Sequence, residues 1–228
     1  MKIVALIPAR AGSKGVTNKN LQKVAGVPLV KITINLAKSS KLIDSIYVSS
    51  DSDEILNLAV DSEVNPLKRP AEKSDDFATA NDVVQHFLDS NSDFNLEELV
   101  IVYLQPTSPF TSANSLSRCI ELCLEKNVSI IAVKRVSEHP NKMLTQDDSG
   151  LATNYISESV PTANRQNLSQ LLIPTGGIYV FSATDFIKNE KIPVTNSLPY
   201  IVHGIEGLDI DNEFDLRLAQ TLGASNEF

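Results

Sequence analysis

The chain reads as an α/β protein built on a mostly parallel sheet flanked by helices. Two observations predict this. Strand-like and helix-like runs alternate along most of the sequence, the pattern of consecutive β-α-β units. Two of the strand-like runs, Ile3 to Ile7 and Leu99 to Leu104, are apolar at nearly every position rather than at every second one. That is expected of strands covered by helices on both faces.

The elements follow in order. Ile3 to Ile7 is the first strand and Pro28 to Ser39 an amphipathic helix. Ser45 to Ser49 is a strand, and Ser52 to Asp61 a helix with Ser52 or Asp53 placed to cap it. Asn81 to Asp89 is a helix, and Leu99 to Leu104 a buried strand that stops abruptly at Gln105-Pro106-Thr107-Ser108-Pro109. Asn114 to Glu125 is a helix and Ser129 to Val136 a strand. Periodicity then weakens between Ser137 and Thr175, where Pro140, Pro161 and Pro174 interrupt it. So long a loosely patterned stretch inside a compact domain predicts an excursion or partner-binding arm. Order returns with the strands Gly177 to Ser182 and Tyr200 to Ile205 and the closing helix Asn212 to Leu222. One domain over residues 1–228, carrying an inserted arm at 137–175, is the simplest division.

Charge is distributed unevenly. The first 43 residues contain no Asp or Glu but eight Lys or Arg, leaving 12 basic residues against all 28 acids in the remainder. An acidic chain with a locally basic segment is suited to one anion rather than to polyanions at large. The sequence pI of about 4.9 and the absence of Trp argue against non-specific nucleic-acid binding and against stacking platforms. No apolar run approaches a membrane span, and the N-terminal run is too short for a signal-peptide core. Cys119 and Cys123 lie four apart in a helical pattern, as small apolar residues on one face. They have no further ligands spaced for zinc, and they suit a reducing cytoplasm.

Within the basic segment, Ile7-Pro8-Ala9-Arg10-Ala11-Gly12-Ser13-Lys14-Gly15 follows a strand and precedes a helix, where open α/β sheets place ligands. Gly12 and Gly15 free the backbone to approach and donate, Arg10 offers a fork to phosphate oxygens and Lys14 a mobile point charge. The spacing matches neither a dinucleotide fingerprint nor a nucleoside-triphosphatase loop. After the last strand comes Leu208-Asp209-Ile210-Asp211. Residues two apart in an extended chain face the same side, so Asp209 and Asp211 are placed to share Mg²⁺ with substrate phosphates. The same stretch also reads as a helix start, with Asp211 or Asn212 as cap and Glu213 and Asp215 complementing the dipole. The polar terminus Gln105 to Ser108 after the strong strand is placed to present residues to a ligand. In the arm, Lys142 and Arg165-Gln166 carry the chemistry to clamp a carboxylate. The three histidines lack triad-like neighbours, which disfavours a nucleophilic hydrolase.

Taken together, the first loop with Lys19-Asn20, then Arg69-Pro70-Ala71-Glu72, Leu104 to Pro109, Arg165-Gln166, Gly177-Ile178-Tyr179 and Asp209-Ile210-Asp211 resemble the acylneuraminate cytidylyltransferases, the CMP-sialic acid synthetases. The matches span nearly the whole chain in order. The resemblance implies a sugar-nucleotide-transferase-like (Rossmann-like) fold, a cytoplasmic homodimer helped by the arm, and CTP and a nine-carbon 2-keto sugar acid as substrates. It implies Mg²⁺, with Mn²⁺ as a substitute. It places Pro8, Ala9, Arg10, Gly12, Ser13, Lys14 and Asn20 at CTP, and Arg69, Thr79, Ala80 and Asn81 on the cytidine side. Gln105, Lys142, Arg165, Gln166 and Tyr179 fall around the sugar, and Asp209 and Asp211 on the metal. Arg10, Lys14, Arg165, Asp209 and Asp211 carry the catalytic charge. Departures fall mostly on the sugar side. Ala80 stands where many relatives have Ser, Ile192-Pro193 where some have an aromatic pair, and Thr175-Gly176 where some have an Asn-containing turn. Legionaminic and pseudaminic acids are therefore alternatives, as is an eight-carbon acid such as Kdo. A CTP-binding regulatory module without catalysis is the alternative of another class.

Overall fold

The computed structural model describes the chain except for residues 13–14, 71–77, 159–161, 163, 165, 167 and 226–228. In chain order the elements are β1 (Lys2–Pro8), β2 (Lys23–Val24), β3 (Val27–Pro28), α1 (Leu29–Ser39), β4 (Ser45–Ser50), α2 (Asp53–Asp61) and β5 (Asn65–Lys68). There follow α3 (Ala80–Ser90), β6 (Leu99–Tyr103), α4 (Ala113–Lys126), β7 (Ile130–Arg135), β8 (Leu144–Gln146) and β9 (Ala152–Asn154). The last are β10 (Leu172–Ser182), α5 (Ala183–Asn189), β11 (Leu198–Ile201) and α6 (Glu213–Ala224). The main sheet has the order β11-β7-β10-β6-β1-β4-β5. Every pairing in it is parallel except those of β10, which runs antiparallel to both β6 and β7.

Alternation along β1 explains its unbroken apolar run. Ile3, Ala5 and Ile7 pack with α1, α2 and α4 through Val30, Ile34, Ile55, Leu116 and Ile120. Val4 and Leu6 point the other way, into a cluster with Val83, Val84 and Phe87 of α3 and Phe186 of α5. A third cluster, Val16, Val24, Leu29, Ile210, Leu216 and Ala219, seals α6 against the loop after β1. Helix starts obey capping chemistry. Ser52 caps α2, Thr79 and Asp82 form a capping box on α3, and Asn212 and Asp215 form one on α6.

Two expectations need correction, and two short elements went unread. The final strand is Leu198–Ile201, not Tyr200 to Ile205, because the chain enters a 3₁₀ turn at Gly204–Gly207. β10 begins at Leu172, five residues before Gly177. Pro174 and the Gly176-Gly177 pair hide its pattern, and the register shifts between Pro174 and Tyr179. The short elements β5 and α5 left no periodic signal; β5 contains Pro66 and occupies the sheet edge, where a missing N–H is tolerated. Between β7 and β10 the described residues form a 3₁₀ turn at Pro140–Lys142 and the hairpin β8–β9. Met143, Leu144, Leu151, Tyr155 and Ile156 are exposed there. Among the described residues no helix is long and apolar enough to cross a membrane.

Candidate active site

The carboxyl ends of β1, β5 and β6 converge on a cavity of about 300 Å³, lined by Pro8, Arg10, Lys19, Asn20, Arg69, Thr79, Ala80, Tyr103, Gln105, Thr107, Asp209 and Asp211 among others. Several of these residues come from different ends of the chain, and a small number of bonds hold them together.

The loop after β1 is braced from beneath. The Ala9 N–H donates to the Ser49 carbonyl at 2.9 Å, extending the β1–β4 ladder. The Ala11 N–H donates to the Asp51 carboxylate at 2.8 Å. Asn20 is buried, and its amide nitrogen donates to the Arg10 carbonyl at 2.9 Å. Ala9 itself is in the core, so only its backbone borders the loop. Gly15 packs so tightly that a Cβ there would stand 2.0 Å from the Asp211 carbonyl, whereas a Cβ at Gly12 would meet nothing within 4 Å. Ser13 and Lys14 lie outside the described residues.

Arg69 follows β5 and is only 4% exposed. Its N–H donates to the Ser50 carbonyl at 2.8 Å, while its Nε and Nη2 are buried without a hydrogen-bond partner. Burial pulls its pKa below the usual guanidinium value, and Asp51 opposes that pull. A buried guanidinium with two unsatisfied nitrogens at a cavity wall is poised for an acceptor brought by a ligand. The N-terminus of α3, at Thr79 and Ala80, opens on the same cavity and adds a positive helix end.

On the opposite wall, the Ile210 N–H donates to the Thr107 carbonyl at 2.9 Å, fixing the two aspartates beside β6. Asp209 Oδ1 is buried and unpartnered. Burial raises the Asp209 pKa; a hydrogen bond from Thr107 opposes this, and Asp211 adds to it. The two readings of this stretch separate here. Asn212 caps α6, and Asp215 accepts from the Asp211 and Asn212 N–H groups, so neither Asp209 nor Asp211 supplies the cap. Among the described residues no three His, Cys, Asp or Glu gather as a protein-only metal cage. A buried orphan carboxylate oxygen beside a second carboxylate fits Mg²⁺, which binds through one or two carboxylates and completes its shell with water and substrate phosphates.

A second cavity of about 320 Å³ adjoins the first and shares Ala80, Tyr103 and Gln105 with it. Asn81, Tyr179, Lys191, Ile192, Val194 and Thr195 complete it. Tyr103 and Tyr179 face each other across β6 and β10 with rings edge-to-face, centroids 6.1 Å apart. Burial raises both hydroxyl pKa values. Gly176, at φ +79°, lets the chain pass Gln105, whose Oε1 would lie 2.5 Å from a Cβ there.

The structure thus gathers Pro8, Arg10, Asn20, Arg69, Thr79, Ala80, Gln105, Asp209 and Asp211 around one cavity, and Asn81 and Tyr179 around its neighbour. Lys142 lies on the 3₁₀ turn of the arm and Gln166 is exposed; neither lines either cavity. Arg165 lies outside the described residues. Asp51 and Tyr103 were missed as site residues, while Lys19 and Thr107 lay inside motifs singled out from the sequence without a role of their own. Lys19 carried a signal as a member of the acid-free basic segment; Asp51, at the end of β4, carried none.

Comparison with known proteins places these observations in context. The family model described as Cytidylyltransferase matches residues 4–208. The chain is 30% identical over 223 residues to an N-acylneuraminate cytidylyltransferase of Escherichia coli O18:K1:H7, covering 97% of this chain and 52% of that one. The chain therefore spans about half the length of that relative. It is 30% identical over 233 residues to a CMP-N,N'-diacetyllegionaminic acid synthase of Legionella pneumophila, covering 100% of this chain and 98% of the other. In fold it is similar to a CMP:2-keto-3-deoxy-manno-octonic acid synthetase complexed with CTP, with a TM-score of 0.70 at 13% identity and 99% coverage of each chain.

Proposed function

Because the chain belongs to the cytidylyltransferase family, we propose that it transfers CMP from CTP to the anomeric hydroxyl of a nine-carbon 2-keto sugar acid, N-acetylneuraminate or a close analogue, releasing pyrophosphate. The observation that carries this reading is the first cavity. It sets a basic loop and a buried, unsatisfied guanidinium against a pair of carboxylates at the strand ends. A nucleoside triphosphate has the complementary parts: an acceptor-rich base, a polyanion, and phosphate oxygens able to share a divalent cation.

The sugar hydroxyl attacks the α-phosphorus in line. One O–P bond forms as the bond to the β-phosphate bridging oxygen breaks. The hydroxyl proton passes to solvent and pyrophosphate departs with the bond pair. No covalent intermediate with the protein is needed, so catalysis is positioning and charge stabilisation. Arg69 and the α3 start at Thr79 and Ala80 receive the base. Arg10, with Lys14 by resemblance, neutralises the departing pyrophosphate. Asp209 and Asp211 would hold Mg²⁺ or Mn²⁺, which would supply charge neutralisation to the substrate phosphates. Gln105 and Tyr179 face the sugar from the second cavity. Lys142, Arg165 and Gln166 are proposed for its carboxylate through the arm. The exposed apolar residues of the hairpin support pairing of two copies through that arm, as a homodimer.

The test is pyrophosphate release from CTP and Mg²⁺ with N-acetylneuraminic, legionaminic, pseudaminic and Kdo acids in parallel. Release with a nine-carbon acid supports the reading and names the sugar; preference for Kdo moves it to the eight-carbon class. CTP binding with no release from any acid makes the chain a nucleotide-binding module.

A further inference from the structure

The second cavity owes one wall to a loop held between its ends by a single buried residue. After α5 the chain leaves the helix through Glu190, at φ +53°. It returns to β11 through Asn196, at φ +65°. Between these two left-handed residues, Lys191, Val194 and Thr195 are exposed and line the cavity. Ile192 is the exception. It is 7% exposed and packs with Val83, Phe87, Phe181 and Phe186. Its N–H donates to the carboxamide oxygen of Asn81 at 2.9 Å, a bond spanning 111 residues of sequence. The Ser197 hydroxyl donates to the Pro193 carbonyl at 2.8 Å and closes the far side of the loop. Asn81 directly follows Ala80, the helix-start residue that lines both cavities.

We propose that Asn81 is a positioning residue: its carboxamide holds the 191–195 loop at a set distance from the start of α3, and so determines which sugar acid the second cavity admits. The inference rests on the reading of that cavity as the sugar side. An amide on a buried residue must find an acceptor or be left unsatisfied. Without Asn81, the loop must move outward to water to satisfy the Ile192 N–H. Movement of the loop carries Val194 and Thr195 with it and changes the width of the cavity. The base side, held by Arg69 and Thr79, does not depend on this bond.

The experiment compares the full chain with Asn81→Leu, which lacks the acceptor, and Asn81→Asp, which keeps it. Two readouts are taken: steady-state kinetics with CTP and the panel of four acids, and hydrogen exchange of the Ile192 amide. Asn81→Leu is expected to raise KM for the preferred acid by roughly tenfold and to flatten the preference among acids. KM for CTP should change less than KM for the acid, and Ile192 exchange should accelerate. Asn81→Asp, which keeps the acceptor but adds a negative charge beside an anionic substrate, should restore the exchange protection. A rise in KM for CTP with an unaltered acid preference would overturn the proposal. So would Ile192 exchange that is identical in the wild type and Asn81→Leu. If the wild type turns over none of the acids, the functional reading fails first. Exchange then decides the strut on its own, and the sugar-selecting role falls with the function.

Discussion

The Lys19 ammonium donates to the Ile210 carbonyl at 2.8 Å and stands 3.8 Å from an Asp211 carboxylate oxygen, tying the first loop to the last across 191 residues of sequence. The lysine side chain is largely buried while the Asp211 side chain is 76% exposed, so the bond fixes the backbone between the two aspartates rather than quenching a surface charge. Lys19→Met keeps the length of the stem and removes the donor. It is expected to raise the Mg²⁺ concentration for half-maximal rate by roughly tenfold, the usual effect of losing support behind a metal ligand. A metal titration of pyrophosphate release checks this.

Gly15 supplies the second tie between the same loops. A methyl group at Gly15 collides with the Asp211 carbonyl, backbone against backbone, with no flexible side chain to yield. Gly15→Ala should cost about 1–3 kcal/mol of stability and weaken metal-dependent turnover as well. Gly12→Ala, which adds its methyl to open space, should leave the melting temperature in place. Paired thermal melts and rate assays separate the two glycines.

Arg69 works against the ligand-free protein. Its buried guanidinium has two nitrogens without partners, a state that an apolar side chain of similar volume relieves. Arg69→Met is expected to stabilise the ligand-free protein by about 1–4 kcal/mol while weakening CTP binding by about a hundredfold. Thermal denaturation without nucleotide and calorimetric CTP titration should therefore move in opposite directions. A fall in both would remove Arg69 from the nucleotide site.

The two cysteines are packing residues. Burial pushes the Cys119 thiol up to about 12 and Cys123 up to about 11, from an ordinary 9.0. Because the folded values are raised, the stability they contribute is complete below the ordinary value. It is lost as pH climbs through the raised ones. At about pH 8 neither thiol should react with a disulfide reagent in the native protein, and both should react at once on unfolding. Thiol counts before and after denaturant give the answer.

The hairpin of the arm exposes Leu144 on β8 and Tyr155 just after β9, with Leu151 next to the turn; the Tyr155 N–H donates to the Met143 carbonyl at 3.1 Å. If this is where two copies meet, Leu144→Glu together with Tyr155→Glu should convert a sedimenting dimer to a monomer. The melting profile of the sheet domain should change little, since none of these side chains belongs to its core. A wild type that sediments as a monomer would remove the homodimer proposal.

Much of the frame was legible because buried parallel strands and amphipathic helices announce themselves by pattern. β1, α1, β4, α2, α3, β6, α4 and α6 fall within a residue or two of their expected bounds. What escaped was local and short. β10 hid its beginning behind Pro174 and two glycines, and α5 is seven residues long. The site residues that were found belong to contiguous motifs. Asp51, which was missed, acts through a bond to a backbone N–H far away in sequence, and what Lys19 and Thr107 do inside the motifs that were read also depends on bonds to distant residues. No linear pattern reports such a partner. Asn81 shows the same limit: the resemblance assigned it to the cytidine side, while the N–H that donates to its carboxamide oxygen lies 111 residues away.

The position of β10 between β6 and β7 shapes how the protein must be made. β6 and β7 leave the ribosome in succession, joined by one helix, the arrangement that most readily closes as a right-handed crossover between adjacent strands. In the finished sheet they are not adjacent. A slot must stay open between them until the arm has been synthesised and the returning strand can fill it. Premature pairing of β6 with β7 is therefore the misfolded state this topology invites.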